Sequence, residues 1–304
     1  MAVKIDMTKL TLGPILFHWP AQQKIDFYAR IADEAAIDTV YLGEVICSKR
    51  SPFFDKHYAE VTERLERGGK TVVFSTLAEV MLKRERNMMA GFCEETDHMI
   101  EVNDTSGLWH LNGRPHMIGP LMNVYNEDTM TYLASKGATR FCLPPELPGP
   151  SVEVMCEHAK SLGVSIEVQV FGRTSLALSA RCYHARAHGR IKDNCQFVCE
   201  QDPDGMPLDT LTGQRFLAIN GIQTLSHTYL NLLPELDALQ TMGVSHYRLV
   251  PHTQDMVAVA QIYRDTLDAK TGADEAESRL SALEIPAPFA NGFWHGKAGH
   301  QRVQ

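Results

Sequence analysis

Excess positive charge is missing from this sequence, and so are long apolar runs, a glycine-rich nucleotide fingerprint and the short motifs of the common hydrolases. Lys and Arg number 29 against 37 Asp and Glu, a formal net charge of −8. Nucleic-acid binders usually carry a basic face, so no nucleic-acid partner is expected, although Lys, Arg and His recur between Arg181 and Lys192. No apolar run approaches the roughly 18 residues of a membrane span. The opening MAVKIDMTKLTLGPIL does not order charged, apolar and small-residue regions as a secretory signal does, which points to a cytoplasmic location. No strand opens onto G-x-G-x-x-G, and neither H-E-x-x-H nor G-x-S-x-G occurs.

What is present is 304 residues with 44% hydrophobic and 22% charged content, ample for a folded core. Short β-rich runs alternate with helical ones, the pattern of a parallel α/β fold. Strands are expected at Leu10 to Phe17, Asp38 to Leu42, Thr71 to Ser75, His98 to Val102, Met117 to Tyr125, Arg140 to Leu143, Ser165 to Phe171, Phe216 to Thr224 and Tyr247 to Val250. Helices are expected at Gln22 to Ala36, Lys56 to Arg67, Leu77 to Met89, Asn126 to Ser135, Ser151 to Lys160, Tyr229 to Met242 and Asp255 to Leu267. In the first helix Ile25, Ala29, Ala32 and Ala36 mark the face turned to the sheet. About eight strand–helix units suit a (β/α)8 TIM-barrel-like fold, distorted where a cysteine-rich segment interrupts it. One barrel-like domain over 1–304 is expected, with the irregular cysteine-rich segment at 181–200 and a C-terminal tail at 272–304.

That segment holds three of the seven cysteines: Cys182, Cys195 and Cys199. Three thiols within eighteen mostly polar residues suit metal or redox chemistry better than core packing. In a parallel barrel the chemistry sits at the C-terminal ends of the strands, which sorts the remaining thiols. Cys47 follows the second strand and is the first choice for a fourth ligand; Cys142, at a strand end, is the second. Cys93 and Cys156 fall on helices and read as buried thiols. Zinc or an iron–sulfur cluster both remain open, and zinc could recruit His184 or His188. The polar strand-end residues Glu44, Asn103, Asp104, Asn123, Glu146 and Glu167, with Arg173 and Arg181, are candidates for the barrel mouth; no catalytic residue is assigned among them.

The run from Glu167 to Gly172, EVQVFG, followed by Ser179, Arg181 and Cys182, resembles the signature of the collagenase-like peptidase family. The family pattern places a cysteine three residues after the glycine, where this chain has Ser175. That departure, with LTLGPILFHWP, DTVYLGEVICSKR and GFWHGKAG, resembles one branch of the family. The resemblance implies a [4Fe-4S] cluster on Cys47, Cys182, Cys195 and Cys199. It also implies a heterodimer with a UbiU-like subunit, acting on a ubiquinone precursor in oxygen-independent ring hydroxylation, with prephenate a candidate hydroxyl donor. A cluster-dependent RNA hydroxylase, a peptidase and a zinc-stabilised scaffold are the competing readings.

Overall fold

The computed structural model describes residues 8–304. Eight short parallel strands close on themselves: β1 (Lys9–Leu12), β2 (Thr39–Leu42), β3 (Thr71–Ser75), β4 (Met99–Val102), β5 (His116–Ile118), β6 (Ala138–Cys142), β7 (Ser165–Leu178) and, later in the chain, β11 (His246–Leu249). Parallel pairing of β11 with both β7 and β1 completes the ring. The helices between strands are α1 (Ala21–Glu34), α2 (Tyr58–Arg67), α3 (Lys83–Glu95), α4 (Thr105–Leu111), α5 (Glu127–Ser135) and α6 (Gly149–Leu162), with α8 (Leu236–Met242) before β11 and α9 (Met256–Leu267) after it. The chain therefore folds as a (β/α)8 barrel.

Strand alternation sorts the side chains into two environments. Leu10, Leu12, Val40, Leu42, Val72, Ile100, Phe141, Val168 and Leu249 belong to the apolar core that the helices share. Tyr41, Val73 and Met117 form a separate cluster, and buried polar residues of the same strands include Thr11, Glu101, Glu167 and Arg248.

The barrel departs from a plain (β/α)8 pattern after β7. That strand runs on to Leu178, beyond the expected Phe171, and pairs antiparallel with β10 (Gln223–Asn231), which pairs with β9 (Arg215–Asn220) and through it with β8 (Met206–Asp209). The cysteine-rich segment, with the short helix α7 (Tyr183–Ala187), hangs between β7 and this added sheet. The tail carries α10 (Ala273–Ser281) and the two-residue β12 (Phe289–Ala290), which pairs with β10.

Other expectations shift for identifiable reasons. The first strand stops at Leu12 because Gly13 and Pro14 follow. Helix α1 buries Lys24, Tyr28, Ile31 and Ala32, a face rotated from the expected one: the larger Tyr28 and Ile31 take the interior. Lys24 joins them with its ammonium 5.3 Å from the Phe54 ring centre. Helix α3 starts at Lys83, not Leu77, because the Glu85 carboxylate accepts from the backbone N–H of Met81 and Leu82, both at 2.9 Å. Met117 to Tyr125 is a strand only to Ile118, and α4 was not foreseen. The expected strand Phe216 to Thr224 is cut in two at Gly221 (φ +62°), and Tyr229 to Asn231 continue β10, so the helix starts only at Leu236, beyond Pro234.

Candidate functional site

Two cavities lie at the ends of the barrel strands. The smaller, about 20 Å³, is bordered by Cys47, Cys182, Cys195 and Cys199, with Lys49, Arg50, His184, Phe197 and Gly221 among its other walls. Each thiol has its own local support. Glu44, two residues past β2, accepts from the N–H groups of Ile46 (3.0 Å) and Cys47 (2.9 Å), which fixes the turn presenting Cys47. The Ala185 N–H donates to the Cys182 sulfur at 3.4 Å. Between Cys195 and Cys199 the chain reverses through two consecutive left-handed residues, Gln196 (φ +50°) and Phe197 (φ +52°). Non-glycine residues adopt that conformation at a cost, and here it lets both cysteines border one cavity. The Lys49 ammonium donates to the Lys192 carbonyl at 2.6 Å, tying the Cys47 loop to the segment carrying the other three.

Arg50 is the buried charge in this neighbourhood. It is 2% exposed, and its Nη1 donates to the Leu16 carbonyl at 2.9 Å and its Nη2 to Asn220 Oδ1 at 3.0 Å. Its Nε is buried with no hydrogen-bond partner. Burial pushes the thiols of Cys47 and Cys199 up, and the Arg50 guanidinium opposes that rise at both. The Cys182 and Cys195 sulfurs are close enough to Cys199 to raise it further. Among the described residues no group of three or more His, Cys, Asp or Glu side chains forms a ready-made site for a single metal ion; the four thiols border a cavity instead.

His184 is fully buried, and its Nε2 pairs with Asp202 at 2.8 Å while its ring stacks on His188 at 5.5 Å. Cys142, at the end of β6, is buried but does not border the thiol cavity, and neither do Cys93 and Cys156, which are buried residues of α3 and α6.

The larger cavity, about 350 Å³, opens at the barrel mouth. Of the polar candidates, Asn103, Asn123, Glu146 and Arg173 line it. The other four do not: Glu44 holds the Cys47 turn, Asp104 caps α4 through Ser106 N–H at 2.8 Å, Arg181 is exposed, and Glu167 lies inside the barrel. Unforeseen wall residues are Glu101, Tyr125, Gln169, Ser175, Gln223 and Arg248. Glu101, Gln169 and Arg248 alternate with apolar neighbours on their strands, a two-residue period that could have flagged them. Gln223 carried no such signal.

Beneath the mouth, Arg248 pairs with Glu101 and with Glu167 (3.0 Å) and stacks 4.1 Å over the Tyr41 ring. Glu167 also accepts from the hydroxyls of Thr11 (2.5 Å) and Tyr41 (2.6 Å). Burial alone would raise the Glu167 carboxyl, but Arg248 and then Arg140 outweigh it and hold the group at about 2. All three charges are at most 3% exposed, so the cluster is a fixed ionic plug in the barrel.

The two cavities are neighbours. Val45, Ile46 and Ile222 pack with Leu16, Leu121, Leu178 and Cys182; Leu16, Val45, Leu121 and Leu178 also line the mouth, so this apolar cluster stands between the thiols and the mouth. A hydrogen-bonded path crosses the same wall: Arg50 to Asn220, Asn220 Nδ2 to Gln223 Oε1 at 3.1 Å, and Gln223 Nε2 to Ser175 Oγ at 3.0 Å.

A model of the family described as peptidase family U32 matches residues 28–304. Among solved structures, the chain is similar to the DAHP synthase of Thermotoga maritima (11% identity, TM-score 0.45, covering 93% of this chain and 72% of that one). It is also similar to the dihydropteroate synthase of Xanthomonas albilineans (10% identity, TM-score 0.42, covering 93% and 96%).

Proposed function

The chain belongs to peptidase family U32, and from that premise we propose that it is an iron–sulfur subunit of an oxygen-independent hydroxylase. Its substrate would be the aromatic ring of a ubiquinone precursor, with a UbiU-like subunit as partner and prephenate as candidate hydroxyl donor. Within the family the reading follows the likeness to UbiV carried by Ser175 at the position of a family cysteine and by Cys47 after the second strand. The observation that supports it most is the cavity itself: Cys47, from a loop more than 130 residues away in sequence, borders the same space as Cys182, Cys195 and Cys199.

The walls suit an anionic thiolate-bound group. Four sulfur donors match the ligand set of a [4Fe-4S] cluster, and the buried Arg50 guanidinium is a cationic donor beside them, within reach of Cys199 and with its Nε otherwise unpartnered. A bound cluster would supply electron transfer. The residues' own work is separate. Burial raises the thiols of Cys47 and Cys199, and Arg50 partly offsets that rise in favour of the thiolates. Phe197, packed 4.7 Å from Phe53, lines the cavity with an aromatic wall. The cluster of Val45, Ile46 and Ile222 keeps the thiols out of direct contact with whatever the mouth holds.

The reading is tested by purifying the protein without oxygen, alone and co-expressed with its related subunit, and measuring iron, sulfide, zinc and visible absorbance. Iron and sulfide near four each per chain are expected, with loss of both in Cys47→Ala. Stoichiometric zinc without sulfide would establish the scaffold reading instead.

A further inference from the structure

Four side chains form a one-way hydrogen-bonded chain between the two cavities. Arg50 Nη2 donates to Asn220 Oδ1 at 3.0 Å, Asn220 Nδ2 to Gln223 Oε1 at 3.1 Å, and Gln223 Nε2 to Ser175 Oγ at 3.0 Å. Its direction is forced. A guanidinium only donates, so Asn220 turns its oxygen to Arg50 and its nitrogen to Gln223, which in turn offers its own nitrogen to Ser175. Ser175 therefore accepts from the chain, and its hydroxyl proton is left for a partner outside it; Ser175 lines the mouth. Arg50, Asn220 and Gln223 are at most 2% exposed, in surroundings where a hydrogen bond is stronger than in water. At the other end Arg50 borders the thiol cavity, its guanidinium reaches the Cys199 sulfur, and its Nε has no acceptor. The Leu16 carbonyl pins the first link, accepting from Arg50 Nη1 at 2.9 Å and from Asn220 Nδ2 at 2.7 Å.

We propose that this chain couples the thiol cavity to the barrel mouth, with Arg50 as the positioning residue at one end and Ser175 as the hydrogen-bond donor at the other. An amide that accepts on one side donates more strongly on the other, so part of the Arg50 charge is felt at the Ser175 hydroxyl. By reciprocity, an acceptor that takes the Ser175 proton lowers the positive charge that the thiols experience. Positive charge and hydrogen bonds at the sulfurs favour added electrons in a thiolate-bound cluster, so the chain adjusts how readily the site is reduced. The coupling rests on the reading of the four cysteines as cluster ligands.

The test is a potentiometric titration of the anaerobically purified full-length protein, alone and with its related subunit, followed by visible absorbance and electron paramagnetic resonance. Thermal melting checks that each variant folds. Arg50→Met should lower the reduced-to-oxidised ratio at a fixed potential about tenfold, ~59 mV for one electron. Gln223 does not border the thiol cavity, and Gln223→Met is a neutral change that breaks the chain and leaves the Arg50 charge undrained. It should raise the ratio roughly twofold to threefold, ~18–28 mV. Gln223→Glu, which puts a carboxylate into the chain, should lower the ratio instead. In an Arg50→Met background Gln223→Met should change nothing further, because its effect runs through the guanidinium. The single Gln223→Met variant decides by itself, whether or not Arg50→Met retains iron. A ratio at or below wild type in Gln223→Met, or a shift that persists without Arg50, would overturn the coupling and leave the cluster reading intact. Wild-type protein free of iron and sulfide would overturn both.

Discussion

Cys47 and Cys142 are both thiols at or just beyond a strand end, and sequence position alone does not choose between them. Cys47 lies five residues beyond its strand, in a turn that Glu44 holds, and reaches the thiol cavity; Cys142 ends its strand with its side chain buried near Arg248 and Glu167. Cys142→Ala should therefore cost about 1 kcal/mol of stability, as a small buried truncation does, while the metal content of anaerobically purified protein stays at the wild-type level. Loss of iron in that variant would make Cys142 a ligand. Arg248 allows a stronger statement. Its removal leaves Glu101 and Glu167 buried without their common cation, so Arg248→Met should lose about 3–5 kcal/mol in urea denaturation. A loss below 1 kcal/mol would show that the plug is solvated.

At the scale of elements, the turn between β9 and β10 carries the site. Gly221 has φ +62°, and a Cβ there would stand 2.8 Å from Arg50 Nη2, the atom that holds Asn220. Gly221→Ala should cost about 1–3 kcal/mol through the backbone and, on the proposed function, lower the iron content of the purified protein by displacing Arg50. Unchanged thermal stability would show that the turn relaxes freely. The hairpin also explains why the last third was hardest to read. A sequence pattern reports whether a run is extended, but the reversal at Gly221 and the pairing of β10 with β7 depend on contacts some fifty residues apart.

For the whole molecule, buried histidines set a pH window. Burial lowers His18 to about 4, helped by Arg50 and Lys24, and burial also lowers His116, His184 and His252. These rings are neutral in the folded protein at pH values where the unfolded chain, with histidines near 6.5, binds protons. The unfolded state thus takes up more protons as pH falls, and stability drops from about pH 6.5 downward, for His18 until about pH 4. Glu167 acts lower down: its depressed carboxyl contributes stability above the unfolded value near 4.3 that is lost as pH falls towards 2. Denaturant melts across pH 4 to 8 should show that slope, reduced in His18→Gln; a flat profile would mean that the imidazoles are solvated. No helix among the described residues is long and apolar enough to cross a membrane.

The sequence by itself determined the alternation of strands and helices, the barrel, and the clustering of Cys182, Cys195 and Cys199, because periodicity and close spacing are local properties of a chain. It also marked Cys47, since strand ends of a parallel barrel share one face. Only the tertiary structure decided which polar residues meet. The meetings of Arg248 with Glu101 on separate strands, and of Arg50 with Asn220 and Gln223, depend on closure of the barrel and on the added sheet. Whether a buried charge finds a partner is a property of three-dimensional proximity, and no local pattern records it.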